Sequence, residues 1–153
     1  MIEPGDALPA LTLEGSEGPI ALAGRKGPLL LYFYPKDDTA GCTREAQDFS
    51  ALLPQFAALG VELLGVSKDS AAKHRKFTEK YDLSVPLATD DGTVMEAFGV
   101  WIEKQLYGRR YMGIDRSTFL FDGDGKLFRA WRKVRVPGHA EAVLASAKEM
   151  LGK

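Results

Sequence analysis

Three short runs, "LLLYFY" (Leu29 to Tyr34), "VELLGVS" (Val61 to Ser67) and "STFLFD" (Ser117 to Asp122), are apolar at almost every position and rich in β-forming residues. A strand with one wet face alternates apolar and polar residues, whereas a run without alternation must be covered on both faces. The three runs are therefore central strands of a sheet with layers on both sides. Between the first two, Ala46, Phe49, Leu52, Leu53, Phe56 and Leu59 recur at three- and four-residue steps, and Gly60 closes the pattern as a helix cap. This is a β-α-β unit. Pro54 lies inside the helical pattern and predicts a kink, or a break into two helices with Pro54 near a new first turn.

Downstream, "SAAKHRKFTEKYD" (Ser70 to Asp82) reads as a helix capped by Asp69 or Ser70, and "VPLATD" (Val85 to Asp90) as a short edge strand led by proline. A short helix follows near Thr93 to Phe98. In "STFLFDGDGKLFRAWRK" the turn chemistry of Asp122-Gly123-Asp124-Gly125 joins two strands as an antiparallel hairpin. The last segment, Pro137 to Leu151, is helical, with Ala142, Val143, Ala145, Met150 and Leu151 on its apolar side. A β-α-β half followed by a β-β-α half around one mixed sheet flanked by helices is an α/β fold of thioredoxin type. At 153 residues the expectation is one domain, 1–153.

Composition narrows the function classes. No stretch approaches the roughly 18 consecutive apolar residues of a membrane span, so no membrane partner is expected. The segment "MIEPGDALPALTLEG" carries acids and prolines where a secretory signal has a basic start and an apolar run, and a cytoplasmic location is expected. The formal net charge of -1 gives no general support for nucleic acid binding. The local exception is "RAWRKVRV" (Arg129 to Val136), where basic residues around Trp131 fit a protected edge strand better than a nucleic acid surface.

Cys42 is the only cysteine, which excludes an internal disulfide and suits a reducing compartment. A lone cysteine is usually a small buried hydrophobe. Three neighbours argue otherwise. Cys42 follows the strand "LLLYFY" through a loop into the opening turn of a helix, where free N–H groups and the positive dipole end stabilise a thiolate. Thr39, three residues earlier, can turn a hydroxyl toward the sulfur or toward an oxygen beside it. Pro35 opens the loop with a fixed φ and no N–H, narrowing access for water.

The segment "PKDDTAGC", Pro35 to Cys42, matches PxxxTxxC and resembles the active-site motif of the peroxiredoxins. The likeness continues through "FYPKDDTAGCTREAQDF", "LGVSKDS", "YMGIDRSTFLFDGDGKLFRAWRKV" and "PGHAEAVL", in the order of the Q-type subfamily, the bacterioferritin comigratory proteins, over nearly the whole chain. The resemblance implies that Cys42 attacks a peroxide oxygen and becomes a sulfenic acid, that Thr39 orients the peroxide, that Pro35 shields the site, and that the active-site arginine is Arg116. Glu45, one turn after Cys42, reads either as the partner of that arginine or as a solvated acid on the helix face, and Gly41 is a further binding candidate beside Cys42. Ala40 stands where many relatives have proline. The usual resolving position, five residues after the peroxidatic one, is Gln47 here, and an alternative one falls near Thr78, so neither holds a thiol. The implied cycle is a one-cysteine reduction of hydrogen peroxide and organic hydroperoxides, resolved by an external thiol such as thioredoxin, glutaredoxin or glutathione. No cofactor is implied, and the relatives suggest a monomer, with a dimer as the alternative.

The other candidates are weaker. His74, on a helix read as exposed, and His139, at a helix start, stand apart from clustered carboxylates, so no metal site is expected. Neither a dinucleotide nor a Walker-type glycine motif occurs. Asp37, Asp38, Asp90 and Asp91 read as turn formers, and Trp101 as cover for the core or a site rim. Thiol-disulfide exchange would need a second cysteine. A peroxide sensor or holdase of the same fold, oxidised once with little turnover, is the alternative function.

Overall fold

The computed structural model describes residues 2–153; Met1, the first residue of the N-terminal stretch read above, lies outside them. In chain order the elements are β1 (Thr12–Gly15), β2 (Gly18–Ala21), β3 (Leu29–Phe33), α1 (Ala40–Ala58), β4 (Glu62–Ser67), α2 (Ala71–Tyr81), β5 (Leu87–Thr89), α3 (Thr93–Phe98), β6 (Trp101–Leu106), β7 (Arg109–Ile114), β8 (Ser117–Phe121), β9 (Leu127–Trp131) and α4 (His139–Met150). Seven strands form one mixed sheet in the order β2-β1-β5-β4-β3-β8-β9, and β6 pairs with β7 alone. The three apolar runs are its centre: β3 lies parallel to β4 and antiparallel to β8, with Leu31 opposite Leu64 on one side and Phe119 on the other.

The two-residue period of β3 divides the core. Leu30 and Tyr32 face a cluster with Phe49 and Phe56 of α1, Phe77 of α2 and Val143 of α4. Leu29, Leu31 and Phe33 face the opposite cluster, which holds Phe98 of α3 together with Phe119 and Phe121. Each aromatic ring named here is less than 3% exposed. Among the described residues no helix is long and apolar enough to cross a membrane.

Two sequence readings change, the break at Pro54 and the edge position of β5, and two hairpins are added. Helix α1 runs unbroken through Pro54, because the carbonyl of Ser50, deprived of its helical partner by the proline, accepts a hydrogen bond from Ser84 Oγ at 3.2 Å. Strand β5 is not an edge: it pairs with β4 and β1. Pro86 is tolerated beside it because the sheet asks only for its carbonyl, which accepts from Gly65 N at 2.9 Å. The hairpins β1–β2 and β6–β7 are additions. The second turns on Tyr107 and Gly108, both at positive φ, and leaves Leu106, Tyr107, Tyr111 and Met112 exposed.

Gly65 shows how tightly the layer beneath α1 is built. A Cβ there would lie 2.6 Å from both Cζ and Oη of Tyr32, whose ring is fully buried and stacked on Phe49 at 4.7 Å between centroids. Gly65→Ala is expected to lower stability by about 1–3 kcal/mol through overpacking. A lower urea midpoint at unchanged slope is the measurement. An unchanged midpoint would mean that the Tyr32 ring yields freely.

Candidate active site

Strand β3 delivers the chain to the loop Tyr34–Thr39, and Thr39 begins α1 as its N-cap with extended backbone (φ -96°, ψ 156°). Its side chain does not cap the helix. Instead Thr39 Oγ1 donates to the Lys36 carbonyl at 2.9 Å, which leaves its lone pairs as acceptors. Cys42 is the third residue of α1, in the turn whose N–H groups have no helical partner, and is 1% exposed. Glu45, one turn further on, shares its buried side and is also 1% exposed.

Arg116 comes from the short link between β7 and β8, its carbonyl held by Val134 N at 3.0 Å. Its guanidinium divides between two groups on α1. Nη1 donates to Glu45 Oε1 at 2.7 Å, and Nη2 to Cys42 Sγ at 3.3 Å. The approach depends on Gly41, where a Cβ would stand 3.2 Å from Nη2. Burial opposes the charge on Arg116, but the neighbouring Glu45 and Cys42 outweigh it and hold the guanidinium above its ordinary value.

Glu45 is less comfortable. Its Oε2 is buried without a hydrogen-bond partner, as is the hydroxyl of Tyr32. Burial pushes its carboxyl from 4.5 up to about 7, against the opposing pull of Arg116. On the other side, His139 Nε2 meets Thr118 Oγ1 at 2.8 Å, and burial, then the charge of Arg116, lowers this imidazole to about 4. The imidazole is therefore neutral, and its Nε2 shares one hydrogen bond with the Thr118 hydroxyl.

Of the residues singled out in the sequence, Cys42, Glu45, Gly41 and Arg116 meet directly, while Pro35 and Thr39 form the exposed loop leading to them. The basic stretch after β9 serves two places: Val134 anchors Arg116 at the site, and Arg132 donates to the Phe98 carbonyl at 2.9 Å on the α3 side of the sheet. Trp101 is half-buried against the α3-side core with Lys68 Nζ 4.3 Å from its ring centroid.

Two readings are corrected. His74 is 6% exposed rather than on a wet helix face, and Asp37 is 8% exposed rather than a simple turn former. They bond to each other at 2.7 Å. His74, Phe77 and Tyr81 follow helical spacing along one face of α2, and that spacing was the signal that His74 points inward. Asp90 does serve its turn, accepting from the N–H groups of Val94 and Met95 at the start of α3. Among the described residues no group of three His, Cys, Asp or Glu side chains is placed to hold a metal ion.

Known proteins are similar to this chain in sequence and in fold. The pattern of the AhpC/TSA family matches residues 4–130, which include both the Cys42 loop and Arg116. Peroxiredoxin Bcp of Xanthomonas campestris is 51% identical over 121 residues, covering 78% of this chain and 76% of its own. Peroxiredoxin Bcp of Bacillus subtilis is 47% identical over 155 residues and covers 99% of both chains. Among solved structures, Xanthomonas campestris bacterioferritin comigratory protein superposes with a TM-score of 0.88 at 46% identity, over 95% of this chain and 99% of that one. A cysteine-to-serine mutant of Xylella fastidiosa PrxQ gives 0.91 at 40% identity, over 97% of each chain. With fold, loop and arginine inside the matched span, the chain belongs to the AhpC/TSA family as a peroxiredoxin of the Bcp group, a thiol-dependent peroxidase.

Proposed function

We propose that the chain reduces hydrogen peroxide and organic hydroperoxides in a one-cysteine cycle at Cys42, closed by an external thiol. The observation that carries this reading is the Arg116 Nη2 to Cys42 Sγ contact of 3.3 Å at the chain's single cysteine. A guanidinium and a helix start place positive charge where a thiolate needs it. Arg116 spends two of its five N–H donors on Glu45 and Cys42, so others remain for a peroxide oxygen. Thr39 Oγ1, whose proton is committed to Lys36 O, can accept the peroxide O–H. Pro35 keeps the outer side of the loop free of N–H donors.

The thiolate attacks one peroxide oxygen. A sulfur–oxygen bond forms, the O–O bond breaks, and the departing hydroxide or alkoxide takes a proton and leaves as water or alcohol. Sulfur has lost two electrons and is a sulfenic acid. An external thiol displaces its hydroxyl as water to give a mixed disulfide, and a second thiol releases the Cys42 thiolate and carries off the disulfide. The alkyl peroxide reduction associated with the Xanthomonas campestris protein supports organic hydroperoxides as substrates.

Peroxide consumption with thioredoxin, glutaredoxin and glutathione as alternative reductants is the test. Many equivalents reduced per chain are expected with at least one of them. Consumption stopping after one equivalent with every donor would favour the sensor reading, and no oxidation of Cys42 at all would overturn the nucleophile.

A further inference from the structure

Helix α2 grips the loop ahead of Cys42 through two consecutive carboxylates. Asp38, at φ +61°, accepts from Tyr81 Oη at 2.6 Å and from Lys80 Nζ at 2.8 Å on the surface. Asp37 is held inside. Its Oδ1 accepts from Tyr34 Oη at 2.6 Å, its Oδ2 meets His74 Nδ1 at 2.7 Å, and its N–H donates to Asp69 Oδ2 at 2.8 Å. The ring is fixed in turn, since His74 Nε2 donates to the Ala88 carbonyl of β5 at 3.1 Å. Asp69 is steadied by Ser67 Oγ at 2.7 Å. Every polar atom of the Asp37 side chain, and its N–H, thus has a directed partner: Tyr34 at the start of the same loop, His74 on α2, and Asp69 ahead of α2.

The side chains of His74 and Asp37 are 7% and 5% exposed. A buried pair of this kind is a poor source of stability, because desolvation of both partners offsets their attraction and apolar side chains of the same volume would serve as well. What it adds is direction. Asp37 lies two residues after Pro35 and two before Thr39, so fixing its carboxylate and N–H fixes the middle of the loop that leads into the first turn of α1 and Cys42. Thr39 itself is tied back to Lys36, the neighbour of Asp37.

We propose that the His74–Asp37 pair makes α2 a positioning clamp for the peroxide-binding loop, holding Pro35 and Thr39 at the separation from Cys42 that the attack requires. The clamp touches no reacting atom. It rests on Cys42 being the nucleophile, and it leaves the Arg116–Glu45 side of the site untouched.

The test compares two reactions of Cys42 in folded variants: oxidation by hydrogen peroxide, which needs an oriented oxygen, and alkylation by iodoacetamide, which needs only an accessible thiolate. His74→Phe preserves bulk but removes both hydrogen bonds. It is expected to be oxidised about 10- to 100-fold more slowly while being alkylated no more slowly than the parent, as a displaced positioning group predicts. Asp37→Asn, which keeps both side-chain hydrogen-bonding positions, is expected to recover most of that loss, to within about 3-fold of the parent. If His74→Phe does not fold, His74→Gln, which keeps one donor, takes its place with an intermediate loss. Peroxide rates equal to the parent's, or peroxide and alkylation rates that fall together, would overturn the clamp alone. A parent chain that is alkylated but not oxidised would overturn the reading of Cys42, and the clamp with it.

Discussion

Arg116→Lys is expected to slow the oxidation of Cys42 by hydrogen peroxide by about 100-fold or more, the loss usual when a preorganised donor to a developing anion is removed. The two nitrogens that matter have fixed spacing on one rigid plane: Nη1 lies 2.7 Å from Glu45 Oε1 and Nη2 3.3 Å from Cys42 Sγ. A lysine ammonium is a single point of charge and cannot hold both contacts while offering a further donor to the peroxide. Glu45 would draw it first, since that carboxylate is buried and, among the described residues, pairs with no other cation. Stopped-flow oxidation, with the protein's far-ultraviolet spectrum as a control for folding, is the measurement. A lysine variant reacting within about threefold of the parent would show that charge alone, without the fork, suffices.

Glu45 should make stability depend on pH in the direction opposite to that of an ordinary paired carboxylate. Its folded value is raised from 4.5 to about 7, chiefly by burial, so the folded state favours the protonated form. The contribution is fully present below the unfolded value and is lost as pH rises through the folded one. At about 1.4 kcal/mol for each pH interval between the two values, the parent should lose about 3 kcal/mol relative to Glu45→Gln between pH 4.5 and 8. Glutamine keeps the shape and does not titrate, so the change in the difference between the two proteins reports the titration of Glu45, with the pull of Arg116 on its carboxylate already contained in the folded value. Urea midpoints of both proteins at the two pH values supply the numbers. A difference that stays constant, or one that grows in the parent's favour at high pH, would show that Arg116 dominates over burial.

Much of the fold was legible because a sheet covered on both faces leaves an unmistakable residue pattern. Leu29–Phe33, Glu62–Ser67 and Ser117–Phe121 became β3, β4 and β8 at the centre, and the short helix Thr93–Phe98 has the predicted ends. The exposed hairpin β6–β7 was not legible, since neither strand buries enough to impose alternation and Tyr107-Gly108 is an uncommon turn pair. The unbroken course of α1 was equally out of reach. Whether Pro54 breaks a helix depends on who satisfies the Ser50 carbonyl, and Ser84 lies 34 residues away.

The same division runs through the site. Residues 35 to 42 carried their own chemistry in local order: a proline, a threonine, and a cysteine at the opening of a helix, with Glu45 one turn on. Local sequence determines such features because helix starts, caps and turn-by-turn neighbours are set by bonds along the chain. The 74-residue span from Cys42 to Arg116, and the 37-residue span from Asp37 to His74, are contacts of another kind. They exist because β8 packs beside β3 and α2 crosses back over the loop, which brings to one place side chains that no periodicity relates. Sequence alone thus determined where the thiol stands at the head of its helix and which layers surround it. Tertiary structure decided how Arg116, which the resemblance had named, is divided between the thiol and a carboxylate that is itself buried, because burial and long-range geometry, unlike helix starts and turns, are properties of the packed whole.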